Sequence, residues 1–183
     1  MPVPLSLDVR TVVVLFHGDR LLLLQRAAWK KFAPLRWTGL GGKVESDELG
    51  DLVKAAQREL FEETDLSPSE VSPLCLRRLL LFHHPVEQVV CLAYLTGTTA
   101  SDRLPTCKEG RLHWIHPNDL AKLDLIENTA RVLPFLIQDV KLDDHYVRCG
   151  VAEYDGNGRL LELTFPTSSG KRGNLDTSNS GGI

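Results

Sequence analysis

Residues 41–66, GGKVESDELGDLVKAAQRELFEETDL, constrain the fold more than any other stretch of the chain. The segment closes on Arg58-Glu59-Leu60-Phe61-Glu62-Glu63, with three carboxylates inside five positions. On a helix Glu59, Glu62 and Glu63 stand at i, i+3 and i+4 and project from one face. Leu52, Val53, Ala56 and Leu60 lie largely on the other side, at the spacing of a stripe that must be buried. Such a helix needs an apolar layer against one side only. Its crowded carboxylates repel by roughly a few tenths of a kcal/mol per pair when exposed. A solvated acidic face is the common explanation of such a cluster; a bound divalent cation is the one that would offset the repulsion.

What precedes the helix favours the cation. Gly41-Gly42-Lys43 turns the chain, an acidic loop holding Glu48 follows, and then the helix begins. This order resembles the Nudix box, G-x5-E-x7-R-E-U-x-E-E-x-G-U, in which U is a bulky aliphatic residue. Gly42, Glu48, Arg58, Glu59, Leu60, Glu62, Glu63 and Leu66 fill eight of its nine defining positions. Two departures stand out. Nine residues separate Glu48 from Arg58, two more than in the pattern, so the box runs over 25 residues. The extra pair is expected around Leu49-Gly50-Asp51, where Gly50 can turn the chain and Asp51 can cap the helix. Asp65 replaces the glycine just past the helix, where left-handed backbone is often needed. Asp is among the few residues that tolerate that geometry, at modest strain.

The resemblance implies an α/β fold: a Nudix α/β/α sandwich with a mixed β-sheet and a loop-helix-loop catalytic motif. It also implies hydrolysis of a nucleoside diphosphate linked to another group, with Mg²⁺ as cofactor and Mn²⁺ as a substitute. Mg²⁺ takes oxygen ligands and bridges carboxylates to substrate phosphates. Glu59, Glu62 and Glu63 are the expected metal ligands, with Glu59 also a candidate for proton removal. Arg58 is expected to orient a glutamate through a charge-assisted hydrogen bond, and Glu48 to brace the loop or Arg58. Gly42 lets the backbone approach closely, and main-chain carbonyl oxygen at this pair is expected to join the metal site. In MutT-like proteins a glutamate from outside the box, also in Lys-Glu-Gly, completes that site; Glu109 is the candidate here.

The segment before the box reads first as a surface loop with its aromatics anchored in the core, and second as a source of substrate contacts. Arg26, Lys30, Lys31 and Arg36 are placed to meet a polyphosphate, and Trp29, Phe32 or Trp37 to stack on a base, although aromatics anchored in the core would look the same. Trp37-Thr38-Gly39-Leu40-Gly41-Gly42-Lys43 resembles the W-N-G-x-G-G-K of MutT-type enzymes, with Thr38 in place of the base-touching Asn. Lys43, Thr38, Trp37 and Asn128, which sits where MutT-like proteins present an Asn to the purine, form the candidate substrate set.

In chain order, the β-branched run Thr11 to Phe16 reads as a buried strand and Leu21 to Gln25 as its hairpin partner across His17-Gly18-Asp19-Arg20. Leu74 to Phe82, Glu87 to Thr96 and Arg111 to Ile115 read as strands, with His83, His84 and Pro85 in the break between the first two. A short helix is expected from Pro117 and a longer one over 125–138. Tyr146 to Tyr154 and Arg159 to Phe165 form a hairpin about Asp155-Gly156-Asn157-Gly158. Residues 1–165 are expected to be one domain, and the polar stretch 166–183 disordered.

Charge and composition narrow the function classes. The net charge of −3 argues against stable nucleic-acid binding. No apolar run approaches the roughly 20 residues of a membrane span, and the start MPVPLSLDVR lacks a basic region leading an apolar core, so a cytoplasmic location is expected. Cys75, Cys91, Cys107 and Cys149 form no C-x-x-C pair and read as free thiols. Three functions fit. The first is a MutT-like (deoxy)nucleoside triphosphate pyrophosphohydrolase, with oxidised purines among its candidate substrates. The second is a Nudix hydrolase of ADP-ribose, a dinucleotide or capped RNA. The third is a catalytically silent nucleotide-binding module, which the complete carboxylate set disfavours. Oligomeric state is not legible in the sequence.

Overall fold

Apolar side chains alternate along the first strands, and that alternation builds two cores on opposite faces of one sheet. In the computed structural model, which describes residues 6–84 and 88–166, β1 (Ser6–His17) and β2 (Arg20–Arg26) form the expected hairpin. Val13, Leu15, Leu22 and Leu24 point to one face; Val14, Phe16, Leu21 and Leu23 point to the other. A period of two on a strand requires this division, and both sets are buried.

The remaining elements are β3 (Trp37–Thr38), α1 (Leu52–Thr64), β4 (Cys75–His84), β5 (Gln88–Thr98), β6 (Gly110–Ile115), a 3₁₀ turn (Pro117–Lys122), α2 (Glu127–Lys141), β7 (Arg148–Tyr154) and β8 (Leu160–Thr164). Among the described residues eight strands make one sheet in the order β3-β2-β1-β5-β4-β7-β8, with β6 also paired to β2. β1 runs parallel to β5 from Ser6↔Gln88 to Phe16↔Thr98, and β4 parallel to β7; the other pairs are antiparallel. The sheet is therefore mixed. α1 covers one face through Ala56 and Leu60, with Leu52 and Val53 packed alongside. α2 covers the other through Val132, Leu133 and Leu136. This is the expected α/β/α sandwich.

Buried charge ties the second layer down. Arg78 on β4 forks onto Asp139 of α2, with Nε–Oδ2 at 2.9 Å and Nη2–Oδ1 at 2.7 Å. Its guanidinium carbon lies 4.6 Å from the ring centres of both Phe135 and Phe165. The pair is almost fully enclosed, so its charges depend on each other for solvation.

Some expectations need correction. His83 and His84 are not in a loop: both belong to β4, in register with Val89 and Gln88. Pairing with β5 carries the strand past its apolar run. The second helix starts at Glu127 and ends at Lys141, later than the expected 125–138. Pro85, Glu87 and the stretch 167–183 lie outside the described residues. All four cysteines are free, and no helix among the described residues is long and apolar enough to cross a membrane.

Candidate active site

The Gly-Gly segment is held against the edge of β1 by main-chain hydrogen bonds. Leu40 and Val13 exchange both of theirs, Thr11 N donates to Gly42 O at 2.9 Å, and Val44 N donates to Val9 O at 2.9 Å. Gly41 has φ of 125°, and a Cβ there would strike the Thr11 carbonyl. A Cβ on residue 42 would collide with the Glu59 carboxylate. Backbone approach thus requires the first glycine, while the second leaves room for the Glu59 carboxyl in its present position.

A turn over 46–50 precedes α1 and overlaps Leu49-Gly50-Asp51, where the extra pair is expected. Asp51 caps the helix, its Oδ1 accepting from Lys54 N at 3.0 Å. Asp65 ends it in the left-handed region, φ 57° and ψ 15°, with its N–H donating to Phe61 O. Between these caps the helix presents Glu59, Glu62 and Glu63 as one acidic face.

Arg58 organises that face. Its Nε and Nη2 hold the two oxygens of Glu48 at 2.8 Å each, Nη2 also reaches Lys43 O at 3.1 Å, and Nη1 donates to Glu59 Oε1 at 3.0 Å and Glu62 Oε2 at 3.2 Å. Glu48 is buried, and the Arg58 hydrogen bonds hold its carboxyl down at about 2. The same contact raises the Arg58 guanidinium above its ordinary value.

The other carboxyls are pushed the opposite way. Burial raises Glu63 to about 7, with repulsion from Glu109 and Glu59 adding to it and a hydrogen bond from Gly41 N at 3.2 Å opposing it. Burial also raises Glu59, against the pull of Arg58. Glu109, from the loop ahead of β6, shares a cavity wall with Glu63 and is paired with Lys30.

Among the described residues no three acidic, imidazole or thiol groups converge into a closed metal centre; the carboxylates lean on Arg58 and Lys30 instead. The donor set nevertheless fits a hard divalent cation. It is all oxygen, and the repulsion among Glu59, Glu63 and Glu109 is what a cation relieves. The Gly42 carbonyl is already engaged by Thr11 N. A carbonyl oxygen has a second lone pair, so this pairing with β1 fixes the position of the Gly42 carbonyl and leaves it able to meet a cation.

A cavity of about 430 Å³ opens from this centre. Gly41, Gly42, Glu63 and Glu109 line one part; Thr38, Asn128 and Thr129 line another. Thr38 Oγ1 lies 3.3 Å from Thr129 Oγ1. Trp37 is not on this wall: its ring packs in the α2-side core, 5.1 Å from His113, because alternation along β3 sends it opposite to Thr38. Lys43 is exposed in a separate hollow shared with Glu59 and Glu62. Lys30 is taken by Glu109, and Arg36 by Asp124 Oδ1 at 3.1 Å and Leu125 O at 2.6 Å. Phe32 and Arg26 do reach the cavity. Sequence reasoning missed Asp8, Arg10 and Tyr94 on its wall; the first two alternate with buried Val9 on β1, and Tyr94 comes from β5.

Comparison with known proteins agrees with this fold. The NUDIX domain family model matches residues 7–136. A MutT protein from Bacillus halodurans is similar in structure, with 20% identity, a TM-score of 0.62 and coverage of 86% of this chain and 97% of that one. So is the E. coli dihydroneopterin triphosphate pyrophosphohydrolase, with 20% identity, a TM-score of 0.58 and coverage of 72% and 95%. A bifunctional NMN adenylyltransferase/ADP-ribose pyrophosphatase from Francisella tularensis, complexed with AMP and a Mn ion, shows 22% identity, a TM-score of 0.55 and coverage of 72% and 41%. No curated protein matches the chain. With the box, the sandwich and the family match in agreement, the chain belongs to the Nudix family and is a hydrolase of phosphoric anhydride bonds.

Proposed function

We propose that this hydrolase is a Mg²⁺-dependent, MutT-like (deoxy)nucleoside triphosphate pyrophosphohydrolase that releases a nucleoside monophosphate and pyrophosphate. The carrying observation is the continuity of one cavity from Glu63 and Glu109 past Gly41-Gly42 to Thr38, Asn128 and Thr129. Its volume of about 430 Å³ is within the range of roughly 300–1,000 Å³ typical of small-ligand sites. Polyphosphate at the carboxylate part leaves the nucleoside to the remainder, where hydroxyl and amide groups can meet a base edge.

Glu59, Glu62, Glu63 and Glu109 would hold the cations, which when bound neutralise the polyphosphate charge as Lewis acids. The chain's own groups orient the rest. Arg58 fixes Glu59 through Oε1 and leaves Oε2 over Gly42, a position suited to accepting a proton. Glu48 keeps Arg58 from turning away. Burial and the neighbouring carboxylates raise Glu63 to about 7 in the metal-free chain, and a bound cation would hold it ionised.

One observation favours a longer substrate such as ADP-ribose or a dinucleotide. A second hollow of about 430 Å³ adjoins the first, sharing Phe32, Phe82, Ile126 and Asn128 and lying under the Gly156-Asn157-Gly158 turn. The deciding experiment measures pyrophosphate and phosphate release with Mg²⁺ from canonical and 8-oxo triphosphates, ADP-ribose, NADH and diadenosine polyphosphates, with Glu62→Gln as control. Pyrophosphate from triphosphates, lost in the variant, supports the proposal. Turnover confined to ADP-ribose or dinucleotides replaces it with the longer-substrate reading.

A further inference from the structure

Asp8 stands on the same face of β1 as Arg10 and Val12, and its register partner on β5 is Val90. With Val12, Val90 and Leu92 it lines the active-site cavity. The residue is only 8% exposed, and its two carboxylate oxygens differ. Oδ2 accepts from Arg10 Nε at 3.0 Å, whereas Oδ1 is enclosed and has no hydrogen-bond partner among the described residues. A buried acceptor without a donor opposes folding; Val12, Val90 and Leu92 have no donor to offer, and Gln88 and Tyr94 on the same wall make no hydrogen bond to Asp8. The aspartyl end torsion is broad, and the Arg10 side chain is half exposed. The carboxylate can therefore turn with its arginine and present Oδ1 to a ligand.

We propose that Asp8 reads the nucleobase and selects guanine; this rests on the reading of the cavity as a nucleotide site. Guanine alone among the common bases presents two adjacent donors, N1–H and N2–H₂, on one edge. Two parallel donors suit a carboxylate as a guanidinium fork does. Adenine and cytosine place an acceptor ring nitrogen beside their amino group. Thymine and uracil flank a single N–H with carbonyl oxygens. Each of these sets a lone pair against the carboxylate. A site that offers a buried acceptor also rejects an analogue lacking the donor, more strongly than shape alone would.

The test is kcat/KM for the triphosphates of deoxyguanosine, deoxyinosine, deoxyadenosine and deoxyxanthosine, with the wild-type chain and with Asp8→Asn. The wild type is expected to prefer deoxyguanosine over deoxyinosine, which lacks only the N2 amine, by about tenfold or more. Asp8→Asn offers one acceptor and one donor, the complement of xanthine N1–H and O2, so it is expected to prefer deoxyxanthosine. Equal wild-type rates for deoxyguanosine and deoxyinosine overturn the proposal, and this arm stands even when the variant does not fold. A variant that loses the same factor on every base also overturns it, leaving Asp8 as a positioning residue for Arg10. Absence of pyrophosphate from every triphosphate overturns the triphosphate reading and the proposal with it; the other outcomes leave that reading intact.

Discussion

Arg58 and Glu48 face each other as a two-pronged pair, Nε to Oε1 and Nη2 to Oε2, both at 2.8 Å. The partners are ten positions apart in sequence, and the turn over 46–50 lies between them. Because the remaining guanidinium nitrogen reaches Glu59 and Glu62, one cation orders three carboxylates. Arg58→Lys keeps the charge and loses the fork. Its kcat is expected to fall by more than tenfold, with a drop in Tm of about 2–4 °C for each kcal/mol lost. Pyrophosphate release and a thermal melt check this together; a variant with unchanged kcat would remove Arg58 from the positioning role.

The same pair sets an acid limit. Glu48 has its carboxyl lowered from 4.5 to about 2 by Arg58, so the unfolded chain binds the proton more readily than the folded one. The stabilisation is complete above about 4.5 and disappears as pH falls toward 2. Glu48→Gln is therefore expected to melt lower than wild type at pH 7, with the gap closing as pH falls through that window. A gap that stays constant from pH 7 to pH 2 would contradict the assignment.

Glu63 carries the opposite sign. Its carboxyl is raised from 4.5 to about 7, so between those values the folded chain holds the proton more tightly. The metal-free protein is expected to lose stability as pH rises from 4.5 to 7, by an amount on the order of 3 kcal/mol at most. Glu63→Gln should remove most of that slope. Added Mg²⁺ should raise Tm at pH 8 in the wild type and much less in the variant. Melts at pH 5 and 8, with Mg²⁺ and with a chelator, decide it.

Asp65 occupies left-handed backbone with φ of 57°. Replacement by glycine removes the Cβ conflict and also loosens the unfolded chain, two effects of opposite sign. The strain of roughly 1 kcal/mol is expected to dominate, so Asp65→Gly should melt slightly higher with kcat/KM unchanged. A lower Tm would mean that the Asp65 side chain contributes more than its conformation costs.

Asp139→Ala leaves Arg78 buried between two phenylalanine rings without its partner. A loss of about 3–5 kcal/mol is expected, read by urea unfolding. Asp139→Asn, which keeps one acceptor, should lose less.

Local pattern was enough for much of this molecule. The glycine pair, the carboxylate spacing and the apolar stripe of α1 are properties of consecutive residues, as are the alternation of β1 and the turns at 18–19 and 155–158. Asp51 and Asp65 were legible as caps because capping is a contact within one turn of the chain. The β4 histidines were not, since what extends that strand is hydrogen bonding to β5 rather than any propensity of His83 or His84.

The cavity lay outside the reach of such patterns. Thr38, Asn128 and Asp8 come from β3, the first turn of α2 and the start of β1, and no periodicity links them. Lys30 and Trp37 look like substrate groups in the sequence, yet packing gives one to Glu109 and the other to the core. By itself the sequence determined the acidic helix with its buried stripe, because hydrogen bonding and side-chain period act over a few residues, and the chemistry was legible only through the resemblance of that stretch to the Nudix box. The tertiary structure alone decided which distant groups share the cavity and which carboxyls are raised or lowered. Burial and charge proximity depend on where the whole sheet brings the chain together.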